Sequence, residues 1–172
     1  MNGYKTLLQE ANDEYIVNKS RFIGSAAPVE TPEQALAFLD KIRQQYKDAT
    51  HNCYAYIIGK NAGIMRYSDD GEPGGTAGMP IIEVMKARGV VDCAVVVTRY
   101  FGGIKLGTGG LVRAYQGMVK LGLETLPTRE HMIPARVEVV LDYPHITVFR
   151  RLLPDYRATV ASENFGVDAT YE

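Results

Sequence analysis

Apolar and polar positions change rhythm several times along this chain, and each change marks an element. Residues 14–18 (EYIVN) and 21–29 (RFIGSAAPV) are strand-like runs separated by the polar pair Lys19-Ser20, which predicts a hairpin. Over 32–47 the period becomes helical, with Ala35, Phe38, Leu39, Ile42 and Tyr46 on one face. Thr31 supplies an N-cap hydroxyl there, Pro32 takes the first helical position, and Gln34 completes a capping box. Alternation returns over 51–58 (HNCYAYII), which puts His51, Cys53, Ala55 and Ile57 on one face and Asn52, Tyr54, Tyr56 and Ile58 on the other. Residues 64–67 return beside that strand across a turn at 59–63, giving a second hairpin.

A glycine- and proline-rich loop over 69–78 leads to a helix over about 79–86, with Ile82 and Met85 facing inward and Gly89 as its stop. The run 91–98 contains five consecutive apolar residues, Cys93 to Val97, and reads as a mid-sheet strand covered on both faces. After a second glycine-rich stretch, Leu111, Ala114, Tyr115, Met118 and Leu121 mark a helix over about 109–122, with Thr108 as the expected N-cap. From 124 to 134 (ETLPTREHMIP) the apolar rhythm lapses, as in a connection between compact units, and a boundary is placed near 130.

Beyond that boundary the order reads β, α, β: alternation over 135–141, a helix from about Pro144 carrying Ile146, Phe149 and Leu153, and strand character over 158–162. The fold class expected is α/β of the α+β type, a mixed sheet with helices over 1–130 and a smaller unit over 131–172. About 40 residues is below the size at which a core usually holds alone, so the second unit is expected to be truncated or to be completed against the first.

Composition narrows the classes. At 46% hydrophobic, with 17 glycines and 8 prolines, the chain is a globular one with enough apolar material for a core. The opening MNGYKTLLQEAND lacks an apolar signal region and no run approaches a membrane span, so the expected location is the cytoplasm, away from membranes. Nineteen Lys and Arg against 20 Asp and Glu give a formal charge of −1, which excludes a global basic field and leaves any RNA contact to a local patch. Cys53 and Cys93 lie in apolar segments without zinc-type spacing and are expected to be buried, reduced thiols.

Two stretches concentrate possible chemistry. Residues 67–81 (YSDDGEPGGTAGMPI) hold Asp69, Asp70 and Glu72 among four glycines, with Thr76 beside them. Either this loop presents carboxylates for a divalent cation or a proton transfer, or Asp70-Gly71 and Glu72-Pro73 set turns in which Ser68 or Asp69 caps backbone donors. Residues 99–115 (RYFGGIKLGTGGLVRAY) leave a buried strand through Gly102, Gly103, Gly107, Gly109 and Gly110. Amides of 108–110 at a helix start would form an anion site flanked by Arg99 and Lys105; alternatively, the glycines serve tight packing. The string matches neither the Walker loop nor the dinucleotide pattern.

His51 at a strand start is a candidate base or ligand, or a histidine hydrogen-bonded in place. No serine or cysteine sits in a recognisable nucleophile motif, and Cys53 in an apolar strand is expected to have a raised thiol pKa. Tyr100 and Tyr115, near Arg99 and Arg113, are candidates for base stacking, with core filling as the other account. A cation leaving a buried strand needs an anionic partner, so Arg99 is expected to meet the acidic loop.

The segments KSRF (19–22), HNCYAY (51–56), SDDGEPGGTAG (68–78) and VVVTRYFGGIKLGTGGLVRAY (95–115) resemble the IMPACT family. The resemblance implies a ribosomal-protein-type α/β first domain and a ferredoxin-like second domain similar to modules of translation elongation factor G. It implies no settled activity for bacterial members, and nothing in this chain resembles the extra N-terminal module of the eukaryotic ones. Two functions follow as expectations. One is a non-enzymatic translation regulator engaging RNA, the ribosome or a ribosome-bound protein, with no cofactor. The other is a nucleotide- or phosphate-binding enzyme or switch in which the acidic loop would hold magnesium. Oligomeric state stays open.

Overall fold

The computed structural model describes residues 3–132 and 135–172, which fall into two compact units. The first holds β1 (Gly3–Leu7), β2 (Ala11–Val17), β3 (Ser20–Pro28), α1 (Pro32–Gln45), β4 (His51–Ile58), β5 (Ile64–Ser68), α2 (Gly78–Ala87), β6 (Cys93–Tyr100), α3 (Gly107–Thr125) and β7 (Thr128–Met132). Its main sheet runs β2-β3-β6-β4-β5. The α+β class expected from the sequence is the one observed, and the strands of this sheet are antiparallel throughout rather than mixed. The continuous apolar run of β6 reported cover on both faces, which antiparallel strands acquire as readily as parallel ones when helices pack on each side.

Alternation along β6 divides its side chains between two cores. Cys93, Val95 and Val97 join Cys53, Ala55 and Ile57 of β4 in a core with residues of α2 and α3. Ala94 and Val96 join Tyr56 and Ile58 in a second core with Ala35, Phe38, Leu39 and Ile42 of α1. Thr31 caps α1 as the sequence predicts, its Oγ1 accepting from the Gln34 amide at 3.3 Å, whereas Gln34 Oε1 reaches back one residue beyond the cap and accepts from the Glu30 amide at 2.7 Å instead of closing a capping box on Thr31.

Several boundaries move for identifiable reasons. The first hairpin turns on Asn18-Lys19, both at positive φ (45° and 64°), because a two-residue turn that matches strand twist needs left-handed backbone at both positions. Ser20 is therefore the buried first residue of β3 and not part of the turn. Strand β6 starts at Cys93 because Asp92, at φ 50°, turns the chain and accepts the Gly59 amide at 2.7 Å. The polar run read as a connection contains β7, which pairs antiparallel with β1, an N-terminal strand that the apolar pattern did not reveal. His131 stacks on Tyr4 with ring centroids 4.6 Å apart, so this ladder rests on polar aromatic pairs and leaves little apolar signature.

The second unit contains β8 (Val139–Leu141), the short helix α4 (Ile146–Leu152), β9 (Glu163–Phe165) and β10 (Ala169–Tyr171), with sheet order β8-β10-β9. Residues 158–162, expected as strand, are irregular, and the strand follows at Glu163. Phe149 and Phe165 each pack on the buried Tyr171. Among the described residues no helix is long and apolar enough to cross a membrane.

Candidate functional site

Sheet register places Phe22, Arg99 and His51 side by side on adjacent strands β3, β6 and β4, at one end of the sheet. The parity that sends Cys53 and Val97 toward α2 and α3 also sends His51 and Arg99 there. Into this row come Glu72, from the loop after β5, and Tyr115, from α3. Arg99 Nη1 donates to Glu72 Oε1 at 2.7 Å, and the Tyr115 hydroxyl donates to the same oxygen at 2.8 Å. His51 Nε2 lies 3.7 Å from Glu72 Oε2. Arg99 and the acidic loop thus meet, with Glu72 as the partner and with both residues buried.

Each neighbour in the cluster is positioned by backbone or by a second side chain. His51 Nδ1 contacts the Asp70 carbonyl at 2.8 Å, and because a carbonyl only accepts, Nδ1 carries the hydrogen. Arg99 Nη2 and the Gly102 amide both donate to Ser20 Oγ at 3.3 Å. The Arg99 guanidinium lies over Phe22 (5.6 Å) and Phe101 (5.4 Å), while its Nε is buried without a partner. Gly102 is required where it stands, since a Cβ would sit 2.0 Å from the Lys19 carbonyl oxygen. Cys53 Sγ lies 3.0 Å from the Asp69 carbonyl and 3.3 Å from the Tyr115 hydroxyl oxygen, the two acceptors for its single hydrogen.

Burial decides the protonation of the two inner groups. It pushes the Cys53 thiol from 9.0 up to about 12, and it raises the Tyr115 hydroxyl well above its ordinary range, reinforced by Cys53 and Glu72. Cys53 therefore stays a thiol, as its apolar strand implied, and is no activated nucleophile. The member of the cluster that reaches the surface is His51, whose side chain is 19% exposed.

The other acidic residues of the loop hold mainly backbone, with Asp70 Oδ1 also 3.5 Å from the Arg43 guanidinium. Asp69 accepts from the amides of Gly75 (2.8 Å), Ala77 (3.0 Å) and Gly78 (2.8 Å), so it caps α2, whose own cap position, Ala77, has no side chain able to do so. Asp70 Oδ2 accepts the Asn52 amide at 2.6 Å, and Thr76 Oγ donates to the Pro73 carbonyl at 2.6 Å. Asp69, Asp70 and Glu72 point to three separate sets of partners. Among the described residues no group of three or more His, Cys, Asp or Glu is arranged to hold a metal ion.

The glycine-rich loop behaves differently. Gly103, Lys105, Gly107, Thr108 and Gly109 are exposed, as are Phe101 (46%) and Ile104 (44%). Thr108 does not cap α3. The helix starts at Gly107, whose φ of 71° turns the chain into it, and its cap position is Leu106, which offers no capping side chain. A shallow cleft of about 320 Å³ lies beside this start, lined by Tyr15, Val17, Asn18, Leu106, Gly110, Arg113 and Ala114; of the glycines expected to line it, Gly110 does. Tyr115, expected at a stacking surface, is instead fully buried. Tyr100 is half-buried beneath the Arg21 guanidinium at 5.7 Å and donates to Asp48 at 2.9 Å. Ser20 and Asn52 escaped the sequence reading, although both sit in the segments quoted for the family resemblance. Asn52 Oδ1 accepts the Thr98 hydroxyl at 2.7 Å, and both residues are buried.

A two-core α+β domain whose four signature segments close on one buried carboxylate defines a class, and comparison with known proteins identifies it. Residues 18–123 match the Impact N-terminal domain. The chain is 46% identical over 143 residues to the IMPACT family member YvyE of Bacillus subtilis, covering 83% of this chain and 66% of that protein. It is 40% identical over 139 residues to the IMPACT family member YigZ of Escherichia coli, covering 80% and 68%. A crystal structure of a hypothetical protein superposes with a TM-score of 0.72 at 32% identity, covering 99% of this chain and 84% of that one. The chain belongs to the IMPACT family and is similar to its bacterial YigZ-like members.

Proposed function

We propose that this protein is a translation-associated regulatory module that engages RNA, the ribosome or a ribosome-bound protein through the surface of its glycine-rich loop. The observation that carries this reading is the division of labour around Glu72. The polar groups of the signature segments bond to one another in the interior, while the loop they anchor exposes Phe101, Ile104 and Lys105. Lys19 joins them through the packing of Gly102 on its backbone, and Arg113 and Asn18 both line the cleft beside α3. A loop presenting cations and apolar side chains suits phosphate contact and stacking by Phe101 or Tyr100. Family membership supports the link to translation through the ribosomal-protein-type fold that the family resemblance implies.

With a formal charge of −1, affinity for naked RNA is weak and local. About three phosphate contacts on a single strand give a slope of log K against log salt of roughly −2. The test combines ribosome co-sedimentation with single-stranded RNA binding across a salt series, using the chain and a Lys105→Glu, Arg113→Glu double variant. Binding lost in the variant, with its melting temperature kept, supports the reading. A second reading, a nucleotide- or phosphate-binding switch, is favoured by the uncapped start of α3. A thermal shift with nucleotide and magnesium, beside no binding to RNA or ribosomes, would select it.

A further inference from the structure

The two edges of the main sheet are finished differently. Strand β2 carries Asn12, Asp13 and Glu14 along its edge, and the acids are already engaged: Glu14 pairs with Arg21 at 2.7 Å, and Asp13 accepts the Glu14 amide at 2.8 Å. Such charges are what sheets use to discourage further pairing. On strand β5 the one charged side chain is Arg66, with no second charge beside it. The strand is bonded to β4 alone among the described strands, and Ile64, Met65 and Tyr67 are between 37 and 45% exposed.

Register assigns faces to this edge. Met65 and Tyr67 lie opposite Ile57 and Ala55, on the α2 side, where Gly78 packs on the Ser68 backbone and brings the exposed Met79 alongside. Ile64 and Arg66 lie opposite Ile58 and Tyr56, on the α1 side. Arg66 has no acidic partner among the described residues, and its guanidinium donates to the Met65 carbonyl at 2.8 Å. The edge thus presents an apolar strip on one face and an unneutralised cation on the other.

We infer that β5 is a docking edge for an extended, acidic segment of a partner protein, added as a sixth strand. Main-chain bonds supply the affinity, apolar residues at alternate positions cover Met65, Tyr67 and Met79, and the intervening carboxylates face Arg66. An incoming carboxylate gives Arg66 a charge-assisted partner and releases the Met65 carbonyl to the new ladder. A second copy fits less well. Two β5 strands paired antiparallel about Arg66 set like charges opposite each other, the acids of β2 are engaged, and a five-residue edge buries far less area than a stable dimer needs. This edge is separate from the glycine-rich loop, so the inference stands apart from the function proposed above.

The test uses the full chain and a labelled ten-residue peptide alternating glutamate with valine, followed by fluorescence anisotropy and by amide exchange. Binding with slowed exchange over residues 64–68, weakened at least tenfold by Arg66→Glu and several-fold by Arg66→Gln, is the expected result. The side chain is exposed, so unchanged melting temperatures confirm that both variants fold. Equal binding of a lysine-for-glutamate peptide, no change in exchange over 64–68, or a concentration-dependent dimer that protects 64–68 without peptide would each overturn it.

Discussion

Loop 69–78 and loop 101–106 share a high glycine content, and each delivers the chain to a helix, yet one closes its helix and the other leaves it open. Asp69 accepts three amides around the start of α2, while α3 begins at Gly107 with no side chain over its amides. The carboxylates of the first loop are all engaged, by backbone amides, by Arg99 and, for Asp70, also by Arg43, while the cation of the second, Lys105, is turned to solvent. Glycine-rich stretches with charges look alike on paper. What separates a scaffold from a surface is whether the charged group finds a partner before it finds water, because an unpaired charge is costly only when buried.

The strongest way to break this comparison is to remove the partner that keeps Arg99 buried. Glu72→Ala leaves a desolvated guanidinium beside Phe22, and it should lower stability by about 3 to 5 kcal/mol. Urea denaturation measures this, and a loss below about 1 kcal/mol would mean that water reaches Arg99 in the native state.

A smaller effect sharpens the contrast between the two helix starts. Asp69→Ala should cost about 2 kcal/mol, the upper range for a lost cap, since three amides lose their acceptor together. Lys105→Ala should stay within about 0.5 kcal/mol of the parent chain, as for other exposed positions. Equal losses in the two variants would erase the distinction.

The interior groups also predict a slope with alkaline pH. Cys53 is raised from 9.0 to about 12, and burial raises Cys93 and Tyr115 further. Above about pH 9 the unfolded chain releases protons that the folded chain retains, so stability is full below that value and falls as pH rises toward 12. Each such group contributes about 1.4 kcal/mol per pH unit within its window. Urea midpoints at pH 8, 9 and 10 should decline, less steeply in Cys53→Ala; a flat profile would show that these groups titrate freely in the native state.

Much of the local order was legible without coordinates. The Thr31-Pro32 start, the helical spacing of α1 and the two faces of β4 follow from backbone geometry that acts over a few residues. Strand β1 and its polar partner β7 were not legible, because their pairing spans more than a hundred positions and rests on Tyr4 and His131 rather than on an apolar alternation. The charge argument that brought Arg99 to the acidic loop worked because it needs no geometry, only the cost of burying a lone cation.

By itself the sequence determined α1, the two hairpins, strand β6, the faces of β4 and the segments in which chemistry is concentrated, but neither β1 and β7 nor the strand that begins at Glu163. Tertiary structure alone decided that Glu72, rather than Asp69 or Asp70, is the buried carboxylate, that Tyr115 is interior and Tyr100 is not, and that Ser20 and Cys53 complete the cluster. The reason is physical: a side chain's role here depends on which strand lies beside it, and register between strands tens of residues apart is set by the packing of both cores at once.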